Sequence, residues 1–142
     1  MPKIILNHVE ARYLSEIYRI LERREIVATG VLAEMFRVKP SSVVDVVERL
    51  RRKGLIERPT WGRMILTRKG FVAASKIIHN HRVLELYFRD RLDLPPEETC
   101  SQALLIDYMI GDPVIKKMCE KLSYPTSCIH GLEVRHLGCR RS

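Results

Sequence analysis

Ten lysines and arginines crowd residues 29–70: Arg37, Lys39, Arg49, Arg51, Arg52, Lys53, Arg58, Arg63, Arg68 and Lys69. Only four acids, Glu34, Asp45, Glu48 and Glu57, oppose them, so this stretch holds a net +6 of the chain's +8. A positive excess confined to one segment is what a phosphate-binding surface requires, because each basic group can displace a counterion condensed on a nucleic acid. Further reactive side chains lie downstream. His81 and Glu85 stand four residues apart and share a face wherever that stretch is helical. Cys128 and His130 form a Cys-x-His pair near the end of the chain. Each pair offers metal-donor atoms, and neither alone specifies a site. There is no nucleophile elbow, phosphate loop or set of paired carboxylates, so no catalytic residue is expected.

The basic stretch has its own architecture. Val43, Val46, Val47 and Leu50 follow the i, i+3, i+4, i+7 spacing of one helix face. A shorter apolar run, Val31, Leu32, Met35 and Phe36, precedes it. Pro40 suits the start of the second helix, with Ser41 or Ser42 expected to satisfy its free N–H groups. Gly54 stops that helix after the basic turn Arg51-Arg52-Lys53. Two extended runs, 55–58 and 64–66, flank a turn over residues 59–63 and read as a hairpin. Helix, turn, helix, hairpin is a winged helix-turn-helix, whose second helix enters the DNA major groove. The exposed start of that helix then offers Ser41, Ser42, Val44 and Asp45 to the bases. Lys39 and Arg49 are expected at phosphates, and Arg58 and Arg63 at the backbone beside the wing.

The remaining elements must brace this unit. Residues 9–23 read as a first helix with Tyr13, Leu14, Ile17, Ile20 and Leu21 on its apolar face. Thr67 is expected to cap a long helix reaching Arg91. A helix opened by Glu97 and Glu98 follows the double proline, and another starts at Asp112-Pro113, with Asp112 as its cap. The last twenty residues look irregular. The fold expected is mainly α: a winged helix-turn-helix over residues 1–75, then a helical layer for dimerisation and metal binding over 76–142. Wide apolar faces on the later helices point to a homodimer through Leu104, Leu105, Met109 and Ile110, and two copies suit two operator half-sites.

The 142 residues, 46% hydrophobic and 30% charged, fit a soluble globular protein. No apolar run approaches the ~20 residues of a membrane span, and no signal peptide is evident. A cytoplasmic location with reduced cysteines is expected.

These residues resemble the diphtheria toxin repressor family of metal-dependent regulators, the manganese transport regulator branch above all. The resemblance rests on Tyr13-Leu14-Ser15-Glu16-Ile17-Tyr18, Pro40-Ser41-Ser42-Val43, Gly54-Leu55-Ile56, Leu66-Thr67-Arg68-Lys69-Gly70, His81-Arg82 with Glu85, and Cys128-Ile129-His130-Gly131. It implies a dimer that binds a divalent metal ion and then double-stranded operator DNA, usually as a repressor. It also implies where the metal goes. The regulatory ligand positions of the family fall on Arg12, Ser15, Cys100, Leu104, Asp107 and Tyr108, of which Asp107 alone keeps an ordinary ligand. Arg12 repels a cation, and a salt bridge from Arg12 to Asp107 would take the ion's part. The ancillary positions survive as His81, Glu85 and Cys100, to which Cys128 and His130 are added. The ligands expected are His81, Glu85, Cys128 and His130, with Cys100 as a substitute. Sulfur, imidazole and carboxylate donors suit Zn²⁺ best, with Fe²⁺, Co²⁺ or Mn²⁺ also served. Two readings stay open: a metal-responsive repressor, and a metal-independent winged-helix regulator with at most a structural zinc. Of the other candidates, Cys119 reads as core and Cys139 as part of a frayed tail. His79 and His136 receive no role, and His8 at most that of a stray ligand.

Overall fold

The computed structural model describes residues 3–58 and 63–139. Its elements are α1 (His8–Glu22), α2 (Thr29–Phe36), α3 (Pro40–Arg52), β1 (Ile56–Glu57), β2 (Ile65–Leu66), α4 (Arg68–Leu92), α5 (Pro96–Ile106) and α6 (Asp112–Lys121). The chain is mainly helical and divides into two compact units, Met1–Ala74 and Ser75–Ser142, the division falling inside α4.

The first unit is a helix-turn-helix with its hairpin. α1 starts where it does because Asn7 and Glu10 cap it reciprocally. The Glu10 N–H donates to Asn7 Oδ1 at 2.8 Å, and the Asn7 N–H donates to Glu10 Oε1 at 3.0 Å. Lys53, at the end of α3, donates to the same Glu10 carboxylate at 2.9 Å. α2 ends on Arg37 in the left-handed region (φ 53°), and the Val38 N–H returns to the Ala33 carbonyl at 3.0 Å. The cap expected from Ser41 or Ser42 is not formed. The helix begins at Pro40 with Lys39 in the cap position, so both serines lie inside it. Gly54, at φ +76°, ends α3 and lets Leu55 and Ile56 turn into the core. There they join Leu14, Ile17, Ile20, Leu32, Val43, Leu50 and Met64, none more than 2% exposed. In the hairpin Ile56 faces Leu66 and Glu57 faces Ile65. The turn expected over 59–63 lies outside the described residues except for Arg63. Thr67 caps α4 as expected, its Oγ1 accepting the Gly70 N–H at 3.0 Å. A Cβ on Gly70 would sit 1.9 Å from the Leu55 carbonyl oxygen, so only glycine allows this approach of helix to hairpin.

The second unit packs Val83, Leu84 and Leu86 of α4, Ala103 of α5, Ile115 and Cys119 of α6, and Cys128 and Val134 of the tail into one cluster. α6 takes Gly111 rather than Asp112 as its cap. The Asp112 carboxylate instead meets Lys76 Nζ at 2.7 Å. The tail is irregular, with one isolated bridge between Ser127 and Glu133, but up to Cys139 it is tied down rather than frayed. Arg82 Nη1 donates to the Glu133 carbonyl at 2.6 Å, and the Tyr124 N–H to the Cys119 carbonyl at 2.9 Å. These ties use main-chain carbonyls, which carry no side-chain signature, so periodicity misses them.

Candidate nucleic-acid interface and metal centres

Burying Val43, Val46, Val47 and Leu50 forces the opposite face of α3 outward. Ser41, Ser42, Val44, Asp45 and Arg49 are all exposed on it, and Lys39 stands exposed at its start. The positive charge is not uniformly available. Arg51 grips Glu48 through two bonds of 2.9 and 2.6 Å, and Arg52 reaches the same carboxylate at 3.5 Å. Lys53 is committed to Glu10. Arg58 donates to Thr29 Oγ1, from the hairpin to the first turn of α2. Lys39, Arg49 and Arg63 remain exposed around the start of the helix, its outer face and the wing.

Among the described residues, two groups of His, Cys and acidic side chains bring their ligand atoms within 4.8 Å of one another. The first is His81, Glu85 and Cys100. One turn of α4 puts Glu85 Oε1 2.9 Å from His81 Nε2, and α5 brings Cys100 Sγ to 3.8 Å from the same nitrogen. Asp107, at the end of α5 and fully buried, sits behind the ring with Oδ2 3.0 Å from Nδ1. A carboxylate on Nδ1 orients the ring and turns Nε2 toward Glu85 and Cys100. Burial opposes charge on His81, but Asp107, Cys100 and Glu85 outweigh it and push its pKa up to about 10. The second Glu85 oxygen, Oε2, is buried without a hydrogen-bond partner. His130 Nδ1 approaches it at 3.6 Å from an exposed position. Cys128 lies elsewhere: it is buried in the core cluster, where its sulfur accepts the His130 N–H at 3.4 Å.

The second group is His79, Cys119, His136 and Cys139. By sequence, Cys119 and Cys139 read as core and frayed tail, and the two histidines carry no role. Cys119 is indeed fully buried, yet its sulfur is 3.3 Å from His136 Nδ1. Cys139 Sγ is 2.9 Å from His79 Nε2, although the two residues are 60 apart in the chain. The sequence holds little signal for this group: His136 and Cys139 stand three residues apart, but His79 and Cys119 lie far from them and there is no Cys-x-x-Cys spacing.

Similarity to known proteins agrees with this geometry. Residues 6–59 match the family model described as iron dependent repressor, N-terminal DNA binding domain. Residues 67–134 match iron dependent repressor, metal binding and dimerisation domain. An HTH-type transcriptional regulator of Methanocaldococcus jannaschii is 25% identical over 107 residues, covering 75% of this chain and 86% of that protein. The iron-dependent repressor IdeR of Mycobacterium leprae is 27% identical over 119 residues, 84% of this chain but 52% of IdeR, so the chain spans about half the length of that relative. The solved structure of the manganese regulator SloR superposes with a TM-score of 0.81 at 26% identity, over 89% of this chain and 59% of SloR. The two family domains follow one another in order, the first over the helix-turn-helix and the second over the segment that carries His81, Glu85 and Cys100. The chain belongs to the iron-dependent repressor family of metal-dependent transcriptional regulators.

Proposed function

We propose that this chain is a metal-responsive repressor that binds operator DNA as a homodimer and responds to a divalent ion held by His81, Glu85 and Cys100, with His130 at the open side. The observation that carries this reading is Glu85 Oε2, a carboxylate oxygen buried without a hydrogen bond beside a histidine and a thiol. His81 meets the other oxygen, and His130 at 3.6 Å is too far to bond Oε2, so a cation there would satisfy a buried acceptor that lacks its hydrogen bond. Asp107 acts from behind by holding the His81 ring, so it is an orienting group rather than a ligand. Cys100, not Cys128, supplies the sulfur. Bound there, the ion would supply a positive centre, and His81, Glu85 and Cys100 would draw α4 and α5 into one arrangement. The donor set suits Zn²⁺ best, and relatives named for iron and manganese make Fe²⁺ and Mn²⁺ the other ions to test.

Operator contact falls to α3, with Ser41, Ser42, Val44 and Asp45 toward the bases and Lys39, Arg49, Arg58 and Arg63 toward the backbone. Dimerisation falls to α5 and the turn after it, where Leu105 and Met109 are 54% and 66% exposed. Leu104 is half-buried and Ile110 packs against its own core, so they contribute at the edge. The decisive experiment measures metal content and then operator affinity with and without the ion, in the wild type and in Glu85→Gln. Tighter operator binding with metal, abolished in Glu85→Gln, is the expected result. Equal affinity in all four samples would leave a metal-independent regulator and sink the metal-responsive reading.

A further inference from the structure

His79 and His81 lie two residues apart on α4, and the proposed regulatory site uses only the second. His79 belongs to a separate group with Cys119 of α6 and with His136 and Cys139 of the tail. We infer that these four side chains form a second, structural metal site, a Cys₂His₂ centre for Zn²⁺ that ties the tail to α4 and α6.

The hydrogen bonds behind the group decide which atoms face it. His136 Nε2 is 2.6 Å from the Pro125 carbonyl oxygen, which only accepts, so Nε2 carries the proton. The lone pair is then on Nδ1, the atom 3.3 Å from Cys119 Sγ. For His79 the same logic needs one more step. Asn80 Nδ2 donates to the Asp107 carbonyl at 3.1 Å, which fixes the orientation of the Asn80 amide. Asn80 Oδ1 therefore faces His79 Nδ1, at 3.0 Å, and accepts its proton in a hydrogen bond. The His79 lone pair is left on Nε2, the atom 2.9 Å from Cys139 Sγ. Both imidazoles thus aim a lone pair at a thiol, each held from behind by an acceptor, as metal-ligating histidines are.

Size and charge agree. Zn–S and Zn–N bonds of about 2.3 and 2.0–2.1 Å make a tetrahedron with edges of roughly 3.3–3.8 Å. All four ligand atoms already lie within 4.8 Å of one another, and the two sulfur–nitrogen distances are 3.3 and 2.9 Å. Binding would send two thiol protons to solvent and leave two thiolates, two neutral imidazoles and Zn²⁺, a centre with no net charge. Neutrality matters where Cys119 is fully buried and His79 only 7% exposed. The ion would add a tie at the end of the tail, past Val134, the last tail residue buried in the core cluster. His136 and Cys139 lie beyond residue 134, where the family match ends.

Cobalt reports the test directly. The full chain, purified under reducing conditions and loaded with Co²⁺, should show thiolate-to-metal charge transfer and tetrahedral d–d bands. Cys100→Ser, which touches only the other cluster, should keep both. Cys139→Ser should lose one Co²⁺ or Zn²⁺ per subunit and most of the thiolate absorption. In the Cys100→Ser background, Cys139→His should recover the ion with about half the charge-transfer intensity, because one of two thiolates remains. Absence of tetrahedral thiolate bands from Co²⁺-loaded Cys100→Ser would overturn the site, and this arm does not depend on whether the Cys139 variants fold. Unchanged metal content and spectrum in Cys139→Ser would overturn it too. So would a Cys119–Cys139 disulfide in protein kept reduced.

Discussion

The two units bury different things. Among the described residues of Met1–Ala74, the buried polar ones are Glu10 and Ser15, both answered within the unit: Ser15 bonds the Ala11 carbonyl, and Glu10 bonds Asn7 and Lys53. In Ser75–Ser142 they are Ser75, His79, Asn80, His81, Arg82, Glu85, Thr99 and Asp107. The first unit has an apolar interior and keeps most of its charges on the surface, on the face proposed for DNA. The second places ionisable groups inside, where each costs free energy unless paired or metallated. The first unit should therefore fold on its own chemistry, while the second should depend on ions.

Removing the ions is the strongest way to break that contrast. Structural zinc contributes on the order of 10 kcal/mol to folding in small metal-binding domains. Stripping the chain with a chelator should therefore abolish hydrogen-exchange protection across α5, α6 and the tail. Protection of Leu14, Ile17 and Leu50 in the first unit should persist. If both units lost protection together, or neither did, the division of labour would be wrong.

A finer test lies between the two metal clusters. Asn80 accepts from His79 through Oδ1 and donates through Nδ2 to the Asp107 carbonyl, while the Asp107 carboxylate orients His81. One residue thus supports a ligand of each centre. Asn80→Leu, close in size but unable to bond, should weaken metal affinity at both by roughly 10–100-fold, the usual cost of losing such support. Competition with a metal indicator reads both constants. Weakening at the His81 site alone would mean that His79 is not a ligand.

The first unit supplies a smaller, pH-dependent effect. Burial works to raise the Glu10 pKa, but the Asn7 N–H and Lys53 outweigh it and hold the carboxyl below its usual value. A depressed carboxylate contributes stability that is complete above the unfolded pKa, about 4.3, and is lost as pH falls through the folded value. Glu10→Gln keeps the capping geometry but loses the ion pair. It should cost about 1 kcal/mol at pH 7 and should flatten the fall in stability below about pH 4.3. Denaturant midpoints measured from acid to neutral pH decide it: parallel curves for wild type and variant would refute the pairing.

Legibility follows the same division. The outward face of α3 can be read because burial of Val43, Val46, Val47 and Leu50 writes a period into the sequence. Gly54 and Thr67 can be read because caps act locally. The caps of α3 and α6 fall earlier than the serines and Asp112 suggest, since proline tolerates both the first and the second helical site. His81 and Glu85 are visible through i, i+4 spacing, and Cys100 through resemblance to the family. The His79 group is not visible: its members come from α4, α6 and an aperiodic tail, and only the fold brings them together. By sequence Asp107 offers itself as a surviving ligand or a partner for Arg12. Its bond to the back of His81 depends on how α5 packs on α4, which no spacing encodes.

The smallest effect concerns how the outer face of the first unit works. Lys39 stands in the cap position of α3 and is exposed, and no side chain caps that helix. Its ammonium therefore adds to the positive end of the helix dipole, which favours a phosphate at that end. The basic residues at the other end of the helix do not duplicate this role, because Arg51 and Arg52 answer Glu48, and Lys53 answers Glu10. Leaving one phosphate unneutralised lowers the salt slope of binding by about 0.9, which over a fourfold rise in salt amounts to roughly a 3.5-fold change in affinity. Lys39→Ala should show that reduction, equally on operator and on unrelated duplex, because a phosphate carries no sequence information. Filter binding or fluorescence anisotropy across a salt series measures both slopes. A slope equal to that of the wild type would remove Lys39 from the interface. Weakening confined to operator DNA would make it a base-reading residue, and the start of α3 would then have to sit deeper in the groove than a backbone interaction allows.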